Sequence, residues 1–318
     1  MSQPSELPGG VWETLFPRAL TLVDEISTHG GVSDPFYTFG GGTVLMLRYQ
    51  HRLSKDIDLF VADPQSLGFI TPRLSDVADE MCKSQYVEAA NYVKLQFDEG
   101  EIDFVASPNL LSAPDAFEEW NLFGRRVRVE TAAEIVAKKM FHRGDKATAR
   151  DLFDLTMVIE HERGALANAE PFMYRHMDAF VANLQAPSAG YIQQFKGIES
   201  IGYAPPFEHA SNVAQSYFND LKKQQALSAE AAESFVAAQS LTVSNVDVAR
   251  GNYVGSILHS TSHHIVQHLG RDAVVVHEKH RLPINIEEYG QGTDSIHLRY
   301  HNGLAQSIGK TRSLGVER

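Results

Sequence analysis

The chain has 318 residues, 43% of them hydrophobic and 21% charged, proportions that call for a globular protein with a real core. A formal net charge of −12 argues against a broad, nonspecific nucleic-acid surface, though a local basic patch stays possible. The single Cys82 excludes an intramolecular disulfide and any multi-cysteine zinc site. No apolar run reaches the ~20 residues that cross a bilayer, and the first residues lack the basic-then-apolar order of a secretory signal, so a cytoplasmic, non-membrane protein is expected.

Apolar residues at helical spacing over 11–28 predict an amphipathic helix. FYTF (36–39) reads as a strand, a glycine run breaks it, and TVLMLRYQHRL (43–53) continues as a helix. DIDLFVA (56–62) is a β-run ended by Asp63-Pro64. Residues 72–90 read as helical. YVKLQF (92–97) and EIDFVAS (101–107), separated by Asp98-Glu99-Gly100, predict an antiparallel hairpin. GRRVRVE (124–130) is a short strand and TAAEIVAKKMFHRG (131–144) a helix. RDLFDLTMVIEHE (150–162) opens a mostly helical stretch reaching about residue 225. The Ala/Ser/Gln-rich segment 224–241 reads as a helical or loose connector. From about residue 246, short β-runs with turns predict a small barrel or sandwich.

Side chains alternate along a strand, so Asp56 and Asp58 share one face, about 6–7 Å apart. Two carboxylates there repel unless a cation lies between them, and a hard divalent ion such as magnesium suits that oxygen-rich setting. Asp103 lies on a second predicted strand, with Ile102 and Phe104 directed to its core side, and shares the face of the first pair if the strands are neighbours. Three carboxylates on adjacent strands can hold two metal ions, as phosphoryl transfer requires. Upstream, GGGT (40–43) stands at a helix start, where backbone N–H groups and the positive helix end can approach phosphates. No Lys-Ser/Thr follows the glycines, so it is not a P-loop.

The combination "GGGT…LRYQHRLSKDIDLF", with "AEIVAKKMFHRGDKATARDLFDL" further on, resembles the nucleotidyltransferase superfamily, in particular its AbiEii-type toxin branch, over about residues 30–225. Many members have Gly-Ser where this chain has Gly42-Thr43; threonine keeps the hydroxyl. The resemblance implies metal binding by Asp56 and Asp58, with Asp103 as the third carboxylate helping to activate the acceptor hydroxyl. It implies nucleotide contacts from Gly41, Gly42, Thr43 and Ser54, the last equally suited to a cap or turn. Lys138 and Lys139 fall to the triphosphate. On the predicted helix Ala133, Val136, Ala137 and Met140 form the buried face, with Lys139 at its rim and Lys138 nearly opposite. Lys139 is therefore the better clamp, while Lys138, four residues after Glu134, suits a surface ion pair. Arg150 and Asp151 enter as active-site support, although Asp151 also suits a helix cap. Asp154 reads as structural. His51 and Arg52 suit either phosphate contact or a plain surface helix end.

Eight of the fourteen histidines fall between His259 and His301; in a β region their spacing does not build a metal site, and no acid or thiol is arranged around them. Instead "GNYVGSILHSTSHHIVQHLGRDAVVVHEKHRLP…GTDSIHLRYHNGLAQ" resembles the KfrB domain of plasmid-associated proteins, implying a β-rich interaction module. The expected fold is an α/β (α+β) nucleotidyltransferase domain with a mixed sheet over 1–160, a helical extension over 161–223, a linker over 224–245 and a small all-β domain over 246–318. The expected activity is transfer of a nucleoside monophosphate from an NTP, with two Mg2+ ions, to an RNA hydroxyl, tRNA 3′ ends foremost, by the toxin of a toxin–antitoxin or phage-defence system, with a cognate antitoxin. A protein acceptor (nucleotidylation, AMPylation) and an inactive nucleotidyltransferase-like scaffold are the alternatives. The basic strip 125–150 is the expected RNA track.

Overall fold

The apolar spacing of the first helix is realised as α1 (Trp12–Gly30), which buries Leu15, Phe16, Ala19, Leu22 and Ile26. In the computed structural model of the chain, residues 3–283 and 295–311 are described, the last four as backbone only. The chain divides into two units, Met1–Ala214 and Gln215–Arg318.

The first unit is built on a mixed seven-stranded sheet in the order β3-β4-β5-β2-β1-β7-β6. The strands are β1 (Tyr37–Gly40), β2 (Ile57–Val61), β3 (Tyr86–Ala89), β4 (Tyr92–Gln96), β5 (Glu101–Ala106), β6 (Phe117–Leu122) and β7 (Arg125–Glu130). β2 alternates as a half-buried strand should: Ile57, Leu59 and Val61 are buried, and Asp58 and Phe60 face the other way. β5 repeats the pattern, burying Ile102 and Phe104 and turning Glu101 and Asp103 outward. β2 and β5 are parallel and adjacent, and β4 and β5 form the expected antiparallel hairpin.

The helical reading of 72–90 is corrected. Only α3 (Asp76–Cys82) is helical, capped by Ser75, and Tyr86–Ala89 pairs with β4 as the edge strand β3. Neither face of β3 is buried, so it carries no apolar alternation for a periodicity argument to find. β6 escapes for a related reason: its two consecutive glutamates break the pattern, although Trp120 and Leu122 are buried.

The helices α2 (Gly41–Tyr49), α4 (Ala132–Arg143) and α5 (Ala149–Glu162) flank the strands that matter for the site. α6 (Glu170–Met173), α7 (Met177–Gln185), α8 (Ala189–Lys196) and α9 (Phe207–Ala238) follow. No helix among the described residues is long and apolar enough to cross a membrane.

In the second unit β8 (Thr242–Ser244), β9 (Asn252–Ser260), β10 (His264–Gly270), β11 (Ala273–Glu278), β12 (Ser295–His301) and β13 (Leu304–Thr311) make one six-stranded sheet, in the order β13-β12-β9-β10-β11-β8. Among the described residues it is one sheet, where a small barrel or sandwich was expected. On β10 the neighbours Ile265 and Val266 point to opposite faces and enter two separate clusters. Ala232 and Val236 of α9 complete the Val266/Val274 cluster, so the segment expected to be a connector contributes core. Residues 284–294 and those after 311 of the expected β domain lie outside the described residues.

Candidate active site

β1 ends in Gly40 and the chain turns directly into α2, with Gly41 at φ +72°. Two constraints make this a glycine position. The left-handed backbone disfavours a side chain, and a Cβ on Gly41 would lie 1.9 Å from Asp58 Oδ2. The glycine turn and the Asp-x-Asp strand are thus packed against each other, backbone on carboxylate.

Asp58 and Asp103 are direct register partners across β2 and β5, and Asp56 stands just before β2 on the same alternation. Burial and the neighbouring charges of Asp103 and Asp56 raise the Asp58 pKa to about 7, although Lys139 pulls it back down. Burial also raises the Asp103 pKa, opposed by Lys94, whose Nζ lies 2.9 Å from Asp103 Oδ2. The other oxygen, Asp103 Oδ1, is buried without a hydrogen-bond partner. Asp56 Oδ1 accepts from the Glu101 amide at 3.1 Å.

A second cluster faces the carboxylates from α4 and α5. Lys139 Nζ lies 2.8 Å from Asp151 Oδ1 and 2.7 Å from Asp154 Oδ2. Arg143, one turn further along α4, also contacts Asp151 at 2.7 Å. Arg52 donates to both Asp154 oxygens at 2.6 and 2.8 Å, and His51 Nε2 lies 2.8 Å from Oδ1. Burial alone would push both aspartates up, but Lys139 with Arg143 for Asp151, and Lys139 with Arg52 for Asp154, hold them well below the usual carboxylate range. Asp151 also closes a capping box with Thr148, which satisfies the first turn of α5.

Together these groups line a cleft of about 830 Å3 that contains Gly42, Ser54, Asp56, Asp58, Asp103, Lys139, Arg150 and Asp151, with Lys55, Lys94, Arg143 and Thr148. Most of the residues singled out in the sequence are therefore brought together.

Some are not. Thr43 is fully buried and its hydroxyl donates to the Asp56 carbonyl at 2.5 Å, tying α2 to the approach of β2 instead of facing a phosphate. Lys138 is neither in the cleft nor on the surface: it is buried, 2.5 Å from Glu130, 3.4 Å from Glu134 and 4.0 Å from the Phe60 ring centroid. His51 and Arg52 are buried on Asp154, Arg52 while also lining the cleft, so the surface helix-end reading is replaced for both. The basic strip is broken up: Arg125, Arg126 and Arg128 project from β7 and pair with Asp24, Glu119 and Asp34. Sequence reasoning missed Lys94 and Arg143. The hairpin register that sets Lys94 opposite Asp103, and the four-residue step from Lys139 to Arg143, were the available signals.

The donor set fits a divalent cation in kind. It offers only hard oxygens, one of them buried and unpartnered, and an Asp58 anion disfavoured by its acidic neighbours. Among the described residues no three His, Cys, Asp or Glu side chains already converge as a cage. Asp56 and Asp103 are turned in part to the Glu101 amide and to Lys94.

In the second unit His277 is buried between the Tyr300 hydroxyl and Gln267 Oε1, both at 2.9 Å, and burial lowers its pKa to about 4.

A mixed sheet with a glycine turn packed on an Asp-x-Asp strand, a third aspartate in register and a lysine-bearing helix opposite is the layout of a nucleotidyltransferase domain. The family model described as "Nucleotidyl transferase AbiEii toxin, Type IV TA system" matches residues 28–238, well over half of the chain, and the chain belongs to that family. A second model, the KfrB domain, matches residues 252–308. No curated protein matches the chain. Among solved structures, JHP933 from Helicobacter pylori is similar at 15% identity and a TM-score of 0.36, covering 70% of this chain and 95% of its own. Another H. pylori chain gives 16% identity and a TM-score of 0.36, covering 66% and 95%. An antigenic nucleotidyltransferase-like protein from Paracoccidioides brasiliensis gives 13% and 0.28, covering 56% and 91%.

Proposed function

We propose that this toxin-family nucleotidyltransferase moves a nucleoside monophosphate from an NTP to an RNA hydroxyl, with the tRNA 3′ end as the leading acceptor, and that a cognate antitoxin restrains it. The observation that carries the reading is the convergence, in one cleft, of the Asp58/Asp103 register pair with Gly42, Ser54 and Lys139. Magnesium is the ion this all-oxygen set suits, held by Asp56, Asp58 and Asp103; when bound it would neutralise the phosphate charge. The catalytic part would comprise residues 1–160 with the helical extension 161–223, and the KfrB-type unit would serve interaction. Its place of action would be the cytoplasm.

The chain's own groups take definite roles in this scheme. The acceptor oxygen attacks the α-phosphorus, the bond to the bridging oxygen of the pyrophosphate breaks, and pyrophosphate leaves with that electron pair. Asp103, which lines the cleft, receives the hydroxyl proton. Lys139 and Arg143, held in place by Asp151 and Asp154, face the triphosphate. The backbone at Gly42 and the Ser54 hydroxyl line the phosphate path. Lys55 and Arg150, exposed cations lining the cleft, would guide the RNA backbone, replacing the β7 arginines in that role.

The test is to incubate the full chain with each α-labelled NTP and total cell extract, with magnesium and with EDTA. Magnesium-dependent label on small RNA is expected. Label confined to protein bands would replace RNA transfer with protein nucleotidylation, and no label with any NTP would favour a binding scaffold.

A further inference from the structure

The acidic face of the cleft already contains one cation. Lys94 stands opposite Asp103 in the β4–β5 register, and its Nζ lies 2.9 Å from Asp103 Oδ2 while also contacting Glu101. Because Glu101 and Asp103 are two residues apart on one strand, they share a face, and the ammonium bridges them. Gln96 Nε2 holds the far Glu101 oxygen at 3.3 Å, so the bridge is supported from the neighbouring rung. The lysine is mostly shielded, with its side chain 27% exposed, and the two carboxylates are 34% and 18% exposed. Hydrogen bonds to two carboxylates suit it as a cation.

The position matters because of what each carboxylate has left to offer. Asp58 packs against the glycine turn and Asp56 accepts from the Glu101 amide; among the described residues neither is hydrogen-bonded to a lysine, Lys139 being bound to Asp151 and Asp154 instead. Asp103 keeps one buried, unpartnered oxygen, and its other oxygen is taken. A divalent ion placed on Asp103 would share a carboxylate with a fixed ammonium, and two cations on one carboxylate repel each other. An ion on Asp56 and Asp58 meets no such competitor.

We propose that Lys94 is a positioning residue that stands in for a second metal ion at Asp103, so that this cleft works with one divalent cation, held by Asp56 and Asp58, instead of two. The ammonium fixes the Asp103 carboxylate through Oδ2 and places a positive charge beside it. This rests on the nucleotidyltransferase reading of the cleft and refines its metal count.

The test counts ions directly. Mn2+ is titrated into the full chain with a non-hydrolysable NTP analogue and bound ions per chain are read by electron paramagnetic resonance, for the wild type, Lys94→Met and Lys94→Arg. Expected values are one ion for the wild type and Lys94→Arg, and two for Lys94→Met, whose secondary structure is checked by circular dichroism. Two ions in the wild type would overturn the role of Lys94 even if the Met variant failed to fold. One ion in a folded Lys94→Met would overturn it as well. No bound ion in any of the proteins would bring down the metal-dependent reading itself, and this inference with it.

Discussion

Lys139 on α4 and Asp154 on α5 meet at 2.7 Å, and through that contact the cleft's lysine is tied to a fully buried carboxylate that also holds Arg52 and His51. The relation explains how a cation can stand opposite the acidic strands without swinging onto them: two aspartates behind it supply the counter-charge.

Removing that anchor should unfold the site. Asp154→Ala leaves Arg52 and Lys139 without a shared buried counter-ion, and breaking a buried pair from one side costs about 3–5 kcal/mol. Chemical denaturation should show a loss of that order and no transfer activity. A variant within 1 kcal/mol of the wild type, on the order of a surface substitution, would show that the cluster is not a structural hub.

Acid should act through the same pair. Asp151 and Asp154 have folded pKa values below their unfolded value of 3.8, so their contribution is present above about pH 4 and is lost as pH falls further. Stability measured from pH 6 to pH 2 should decline below about pH 4 in the wild type. The decline should be shallower in Asp151→Asn.

Asp58 predicts the opposite slope. Its folded pKa of about 7 lies above its unfolded 3.8, so its contribution is complete below about pH 4 and disappears as pH rises towards 7. In EDTA at pH 8, Asp58→Asn should be more stable than the wild type by on the order of 2 kcal/mol, discounted for its partial contact with solvent. At pH 4 the two should coincide. Transfer should be abolished at every pH, and an active Asp58→Asn would remove this residue from the metal site.

Under the proposed RNA transfer, the cations of the cleft should guide the acceptor. Lys55→Ala with Arg150→Ala should weaken acceptor use and flatten its salt dependence by about two charges. Arg125→Ala with Arg128→Ala should leave it nearly unchanged, because those guanidinium groups pair with Asp24 and Asp34. Gel-shift affinities over a salt series would separate the pairs. A larger loss from the β7 pair would restore the strand as the RNA track.

In the second unit a fragment starting at residue 224 should unfold cooperatively, and one starting at 246 should not. The shorter piece loses Ala232 and Val236 from the Val266/Val274 cluster, and a buried valine contributes on the order of 1.5–3 kcal/mol. Calorimetry on both fragments decides the point; equal sharpness would show that α9 is dispensable to the sheet.

Much of the site was legible in the chain because its signals are local and periodic. Strand alternation alone sets Asp56 with Asp58, and Ile102/Phe104 against Asp103. The glycine run marks a turn that admits no side chain, and the hairpin from 92 to 107 closes as its turn residues indicate. What the sequence could not decide is which charges meet. Helical spacing placed Lys138 away from the core of α4, yet α4 is buried on several sides, and Glu130 at the end of β7 waits on that flank. Likewise Thr43, which the resemblance directs to phosphate, bonds the Asp56 carbonyl, and Arg52, left open between phosphate and a surface helix end, is held by Asp154. A periodicity reports the direction of a side chain relative to its own element. The partner it finds there depends on residues tens of positions away, and only the assembled sheet and helices bring those within the few ångströms over which a hydrogen bond or ion pair acts.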